Sequence, residues 1–270
     1  MEKPAKVKDK PPRDEARGVR FDVAAWGLVL AAGCRAVEIF LEAQSMAGAV
    51  GQAVLVEWGS SRLGVAWSDP SKPTTGAAIA RRAAAGAAVG LAVAGIVFAT
   101  LAATHAATLG PAVSQVEASV LVLGFATAGI HAWRDELLLH GITLRALGGS
   151  VPALGRVVAC GVTSAGAALG RSDATARTVF VALLLGMLFG ALWIRDGGAW
   201  QPWAAHATFR WTIGTLLSGG LVHAQIADDT WGGGSGWLAG TAAVVALVPV
   251  SVGALVWTAR RMSPRSAGVG

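Results

Sequence analysis

The sequence predicts an all-α protein, a polytopic bundle of about eight transmembrane helices. Three observations lead there. Of the 270 residues, 54% are hydrophobic and only 14% charged, the balance of an integral membrane protein rather than a soluble domain. No charged residue occurs between Arg82 and Glu117 or between Asp229 and Arg260. Each gap exceeds the roughly 20 residues that a helix needs to cross about 30 Å of hydrocarbon. Glycine is abundant, at 36 residues, which suits helices whose backbones approach closely in lipid.

Residues 1–20, "MEKPAKVKDKPPRDEARGVR", mix Lys, Arg, Asp, Glu and Pro with little apolar content and read as a disordered basic cytoplasmic tail. They are no signal peptide, because no small-residue cleavage site follows a short apolar core. The transmembrane domain then runs over 21–262, and 263–270 form a C-terminal tail.

Apolar runs and their charged or Gly/Pro boundaries put helices near 22–42, 46–64, 80–108, 114–146, 150–170, 175–195, 199–224 and 235–260. In the first, Arg35 and Glu38 are three apart and pair with each other. The second is short and carries Glu57, so it is a candidate to lie in the membrane interface instead of crossing. The Ser/Pro/Gly-rich stretch "EWGSSRLGVAWSDPSKPTTG" after it reads as a flexible cytoplasmic loop. The third and last helices fill the two uncharged gaps. His105 and His223 fall near span ends, and Glu117 opens the fourth span. Trp200, Pro202 and Trp203 open the seventh, as an interfacial helix start would. Tyr is absent, so the interfacial aromatic role passes to the 11 Trp.

The net charge of +6 would suggest nucleic acid for a soluble protein. Here the basic residues sit in the N-terminal tail and at span ends: Arg62, Arg81 and Arg82, Arg145 and Arg156, Arg195, and Arg260, Arg261 and Arg265. Positive-inside bias accounts for them. It places the chain in the inner membrane with an even number of crossings and both termini cytoplasmic, in contact with the lipid bilayer and not with nucleic acid. Cys34 and Cys160 lie in apolar segments without metal-like spacing and read as buried free thiols. No internal repeat, GxSxG, HExxH, Walker or CxxC sequence is present, which removes the usual signatures of serine hydrolases, zincins and nucleotide-driven pumps.

Charge inside the fourth span is the exception to this greasy pattern. A charged side chain deep in a membrane helix costs about 2.5–3.5 kcal/mol on insertion scales, so such residues face the bundle interior or a wet cavity. In "HAWRDELLLHG", His131 and Asp135 are four apart, as are Glu136 and His140. Each pair shares a face, and together they make a polar stripe. Paired carboxylates with imidazoles nearby are the material of general-base activation of water. Solvation of Arg134, Asp135 and Glu136 near the cytoplasmic interface is the plainer alternative. In "WQPWAAHATFRWT", His206 and Arg210 repeat the one-turn spacing.

These two stretches carry a resemblance. "DELLLHGITLRAL" resembles the Glu-Glu-x-x-x-Arg motif of the CAAX prenyl protease and bacteriocin-processing family. "LLLGMLFGALWIRDGGAWQPWAAHATFRW" is similar to that family's last segment: a glycine-bearing helix, a Gly-containing turn, a Trp-x-Pro start and His-x-x-x-Asn. The resemblance covers about 114–224 and implies an eight-helix intramembrane glutamic endopeptidase. It puts Asp135 and Glu136 at the acidic places, His140 where Arg is usual, His206 at the last motif's His and Arg210 where Asn is usual. The middle motif, Phe-x-x-x-His, falls on "RVVACGVTSAGAALG", which has no His; Thr163 and Ser164 are the polar side chains there. His140 or His131 would then replace the missing imidazole.

The reading is an intramembrane endopeptidase that cuts a membrane-associated or exported protein near the membrane surface. Glu136 or Asp135 acts as base, His206 positions water or the carbonyl, and Arg210 or His140 bears the developing negative charge. No cofactor is expected, although two carboxylates and two His would also suit a divalent metal. The alternative from a different class is a catalytically inactive scaffold or immunity-type protein on the same fold.

Overall fold

The computed structural model describes residues 18–41, 46–68, 74–110, 117–218, 221, 223–227, 230–233 and 238–262. Most of the N-terminal tail, the whole C-terminal tail and the Pro-containing end of the first long loop lie outside them. The architecture is an α-helical bundle: α1 (Phe21–Leu41), α2 (Met46–Arg62), α3 (Gly76–Ala103), α4 (Ala118–Asp135), α5 (Ile142–Leu147), α6 (Ala153–Leu169), α7 (Ala176–Asp196), α8 (Trp200–Trp211) and α9 (Thr241–Met262). A π-helical turn, Glu136–Gly141, joins α4 to α5 without a break, so Ala118 to Leu147 is one rod; a second, Thr212–Leu216, extends α8. Among the described residues, α1, α3, α7 and the Thr241–Arg260 part of α9 are each long and apolar enough to cross a membrane on their own.

Two expected helices stop short. The third was expected to reach 108, but α3 ends at Ala103. His105 then takes a positive φ of 54°, a left-handed conformation that ends a helix. Ala107–Gly110 (β1) pairs antiparallel with His223–Ile226 (β2), with Ala107 opposite Ile226 and Gly110 opposite His223. The seventh was expected to run to 224. It gives way after Leu216, where the Ser218 hydroxyl donates to the Ile213 carbonyl at 2.6 Å, and the chain returns as β2. A two-stranded ribbon thus caps one end of an otherwise all-α bundle, and His223 belongs to it.

Close approach holds the bundle, and it runs through glycines. On α3, a Cβ at Gly86 would strike the Gln201 carbonyl and one at Gly90 the Ala205 carbonyl, both on α8. On the α6–α7 seam, a Cβ at Gly186 would come within 2.7 Å of the Cys160 carbonyl, and one at Gly161 within 2.8 Å of that of Leu183. Any larger residue would have to push the helices apart. The main core gathers residues of α3, α7, α8 and α9, including Val97, Leu101, Leu188, Phe189, Phe209 and Leu247. Cys34 and Cys160 are buried free thiols, as read from the sequence.

The loop after α2 is not free over the residues described. Trp67 lies 4.7 Å from Trp200 and 5.2 Å from Trp133, centroid to centroid. The Ala199 amide donates to the Trp67 carbonyl at 3.0 Å, and the Trp200 indole to the Ser68 hydroxyl at 3.0 Å. Aromatic area and backbone hydrogen bonds outweigh the Ser/Gly composition that suggested flexibility. The second helix, α2, packs on α1 and α4. Its Glu57 accepts from the indoles of Trp67 (3.0 Å) and Trp133 (2.8 Å), which satisfies a carboxylate among apolar neighbours.

Arginines collect at one end of the bundle. The Arg20 amide donates to the Ala146 carbonyl at 2.7 Å and Arg145 Nε to the Leu63 carbonyl at 3.4 Å. Arg82 pairs with Asp196 at 3.5 Å, and Arg195 lies over the Trp257 ring at 4.7 Å. The start of α1, the α2–α3 loop and the ends of α5, α7 and α9 therefore share this end, opposite the ribbon.

Candidate active site: a buried carboxylate between two imidazoles

Glu136 begins the π-helical turn and is fully buried. Its Oε2 lies 2.9 Å from His140 Nδ1 and its Oε1 lies 2.9 Å from His206 Nδ1. The first imidazole is one turn along the same rod, and the second is on α8, 70 residues away. Residues four apart share a face across this turn, which brings the His140 ring onto Glu136. Such turns recur at functional sites.

The wide turn is itself supported from α6. The Thr163 hydroxyl donates to the Leu139 carbonyl at 2.8 Å, within the π-helical segment. Ser164 Oγ meets His140 Nε2 at 3.1 Å. A neutral His140 that donates from Nδ1 to Glu136 leaves Nε2 as acceptor for the Ser164 hydroxyl. On α6, where no histidine is present, a hydroxyl thus meets the imidazole that the rod itself carries. His131, the other imidazole considered for this place, is half-buried on α4, one turn before Asp135.

The adjacent carboxylate has different company. Asp135 accepts from Arg134 Nε at 2.7 Å and from Arg134 Nη2 at 2.6 Å, and Arg210 Nη1 reaches its other oxygen at 3.4 Å. Arg134 also donates to Gln52 of α2 and lies 3.8 Å from Glu38 of α1. Glu38 in turn makes the expected pair with Arg35, at 2.6 Å. Being about 100° apart on the helix, the two acids face different partners: Asp135 between guanidiniums, Glu136 between imidazoles. The candidate residues Asp135, Glu136, His140, His206 and Arg210 therefore converge, but as two adjoining clusters of contacts rather than one undivided pool. Arg210 stands on Asp135, not on Glu136.

Burial is graded across this group. Side-chain exposure is nil at Glu136, 1% at His140, 13% at His206, 12% at Asp135 and 39% at Arg210. Arg210 therefore marks the mouth and His140 the floor. Phe189 of α7 stacks on His206 with centroids 4.5 Å apart and planes at 14°, fixing the ring that faces the opening. Phe189, Ser164 as a partner of His140, and the α1–α2 link through Glu38 and Gln52 were not anticipated. Phe189 sits beside the matching glycine Gly190 in the quoted helix, the one signal that could have pointed to it.

Among the described residues, no group of three or more His, Cys, Asp or Glu side chains is arranged to hold a metal ion. The two oxygens of Glu136 diverge toward separate rings instead of converging on one point.

Fold and site define a multi-pass helical membrane protein with an acid–imidazole centre walled in by its own helices. Residues 115–212 match the family described as type II CAAX prenyl endopeptidase, Rce1-like. This segment is thus similar to the CAAX prenyl protease and bacteriocin-processing family, and the helical bundle is consistent with a CAAX-protease-type fold. No curated protein and no solved structure matches the chain.

Proposed function

We propose that the protein is an intramembrane endopeptidase in which Glu136 is the general base. The observation that carries this is the carboxylate held at 2.9 Å by each of two imidazoles in a fully buried position. A base must be within hydrogen-bond reach of the water it deprotonates and shielded from bulk solvent. With His206 Nδ1 engaged by Glu136, its Nε2 is the nitrogen left to hold a water or the substrate carbonyl. Glu136 takes a proton from water, the hydroxide adds to the carbonyl carbon, and the same proton passes to the amide nitrogen as the peptide bond breaks. Arg210 at the mouth offers a cation to the developing oxyanion, where a charge in a dry site is strongly effective.

Asp135 is the weaker candidate for base. Paired on both sides with guanidiniums, it is a counter-ion that holds Arg210 in place. The substrate class is a membrane-associated or exported protein cut near the membrane surface, and the inner membrane with cytoplasmic termini fits the gathering of arginines at one end.

The test is processing of exported proteins in a deletion strain complemented with wild-type, Glu136→Gln or Asp135→Asn chains. Glu136→Gln is expected to leave the protein folded and lower turnover by about 10²–10⁴-fold, the usual contribution of a general base. Turnover that survives this change would refute the assignment. A chelator is expected to leave wild-type activity intact, and its loss on chelation would favour a metal-assisted site instead. A folded protein without any processed product would favour the scaffold.

A further inference from the structure

Away from the site, α3, α7 and α9 enclose an open groove of about 250 Å³, lined by Val89, Leu188, Ala191, Val250 and Gly253 and ending at Arg195 and Trp257. Its walls are apolar along their length and cationic at one end. At Gly253 the α9 wall is open, since a Cβ there would meet nothing within 4 Å, so a larger side chain fits there without clashing. Small-molecule pockets hold roughly 300–1,000 Å³, so this one suits a single slender chain.

The cationic end has a specific chemistry. The Arg195 guanidinium lies over the Trp257 ring at 4.7 Å and the residue is exposed. Complementing the α7 C-terminal dipole accounts for an arginine at this position, but not for an unfilled apolar slot leading up to it. Arg81 and Arg260 are exposed at the same end of the bundle, because α3 starts beside Asp196 and α9 ends beyond Trp257. A planar guanidinium matches phosphate oxygens in a bidentate pair. We propose that this groove seats one anionic phospholipid, an acyl chain lying between α7 and α9 and the headgroup phosphate on Arg195. Leu188 and Ala191 of the seat flank Phe189, which packs on His206, so seat and site share two turns of α7.

The experiment uses the full chain purified in an uncharged detergent, with phosphatidylglycerol or phosphatidylcholine of identical acyl chains added and bound lipid read by native mass spectrometry. Phosphatidylglycerol is expected to bind about fivefold more tightly, the factor that roughly 1 kcal/mol for one arginine at a charged lipid represents. Arg195→Gln should erase that preference. Gly253→Leu, which has room to fold, should reduce binding of both lipids by filling the slot. Arg171→Gln, in the loop between α6 and α7, should change nothing. Equal binding of the two lipids by the wild type, or unaltered binding by Gly253→Leu, would overturn the proposal. So would displacement of the lipid by inorganic phosphate alone, which would leave an anion site without a chain seat.

Discussion

At the scale of single residues, the informative contrast lies between neighbours. Asp135 and Glu136 are adjacent and chemically alike, yet one is enclosed by arginines and the other by histidines. Removing the charge of Asp135 leaves two guanidiniums facing each other across an amide. Asp135→Asn is therefore expected to cost about 3–5 kcal/mol, as loss of one partner from a buried ion pair does, visible as a lowered thermal midpoint. Glu136→Gln should lose activity with a smaller loss of stability, since an amide can still bond both rings. Equal stability losses in the two variants would show that the acids are not divided in this way. The five polar residues that the structure brings together were singled out from their spacing, order and family resemblance. The division of labour was not, because sequence adjacency fixes only the 100° between two side chains and says nothing of which distant helices they meet. Phe189 was hidden for a similar reason, since an aromatic in a glycine-bearing membrane helix reads as ordinary packing.

At the scale of elements, long apolar runs located α1, α3, α7 and α9, because length and hydropathy suffice where a helix must cross lipid. Helix ends fared worse. Ala, Thr, Leu and Gly around 104–110 are as apolar as the helix before them, and short apolar runs do not separate helix from strand. The ribbon of β1 and β2 pairs residues more than a hundred positions apart, beyond the reach of any local pattern. The wide turn from Glu136 to Gly141 was equally silent. Its support on α6 gives a direct check: Thr163→Val keeps shape and removes the hydroxyl that satisfies the Leu139 carbonyl. It is expected to cost about 1 kcal/mol and, by loosening His140, to lower turnover more than it lowers substrate affinity. A change confined to affinity would argue that α6 acts on binding alone.

At the scale of the whole molecule, the matched core at 115–212 does not stand alone. From outside that segment, α1 and α2 contribute Glu38 and Gln52 to the Arg134–Asp135 network, and α3 presses on α8 through Gly86 and Gly90. Since α8 carries His206, the α3–α8 seam sets how far that imidazole stands from Glu136. Gly90→Val is expected to destabilise the protein by about 1–3 kcal/mol through overpacking and to reduce activity in whatever fraction stays folded. Retained activity with full stability would mean that α8 is not positioned by this contact.

The wide turn has a consequence for how this gene can change. His140 reaches Glu136 only because three residues separate them within that turn. Losing one codon among Leu137, Leu138 and Leu139 would swing the ring by about 100° while leaving the hydrophobic content of the rod almost untouched. The rod should therefore accept exchanges of one leucine for another aliphatic residue and reject any change in their number, so that tolerance to deletion, measured codon by codon, falls to its minimum here.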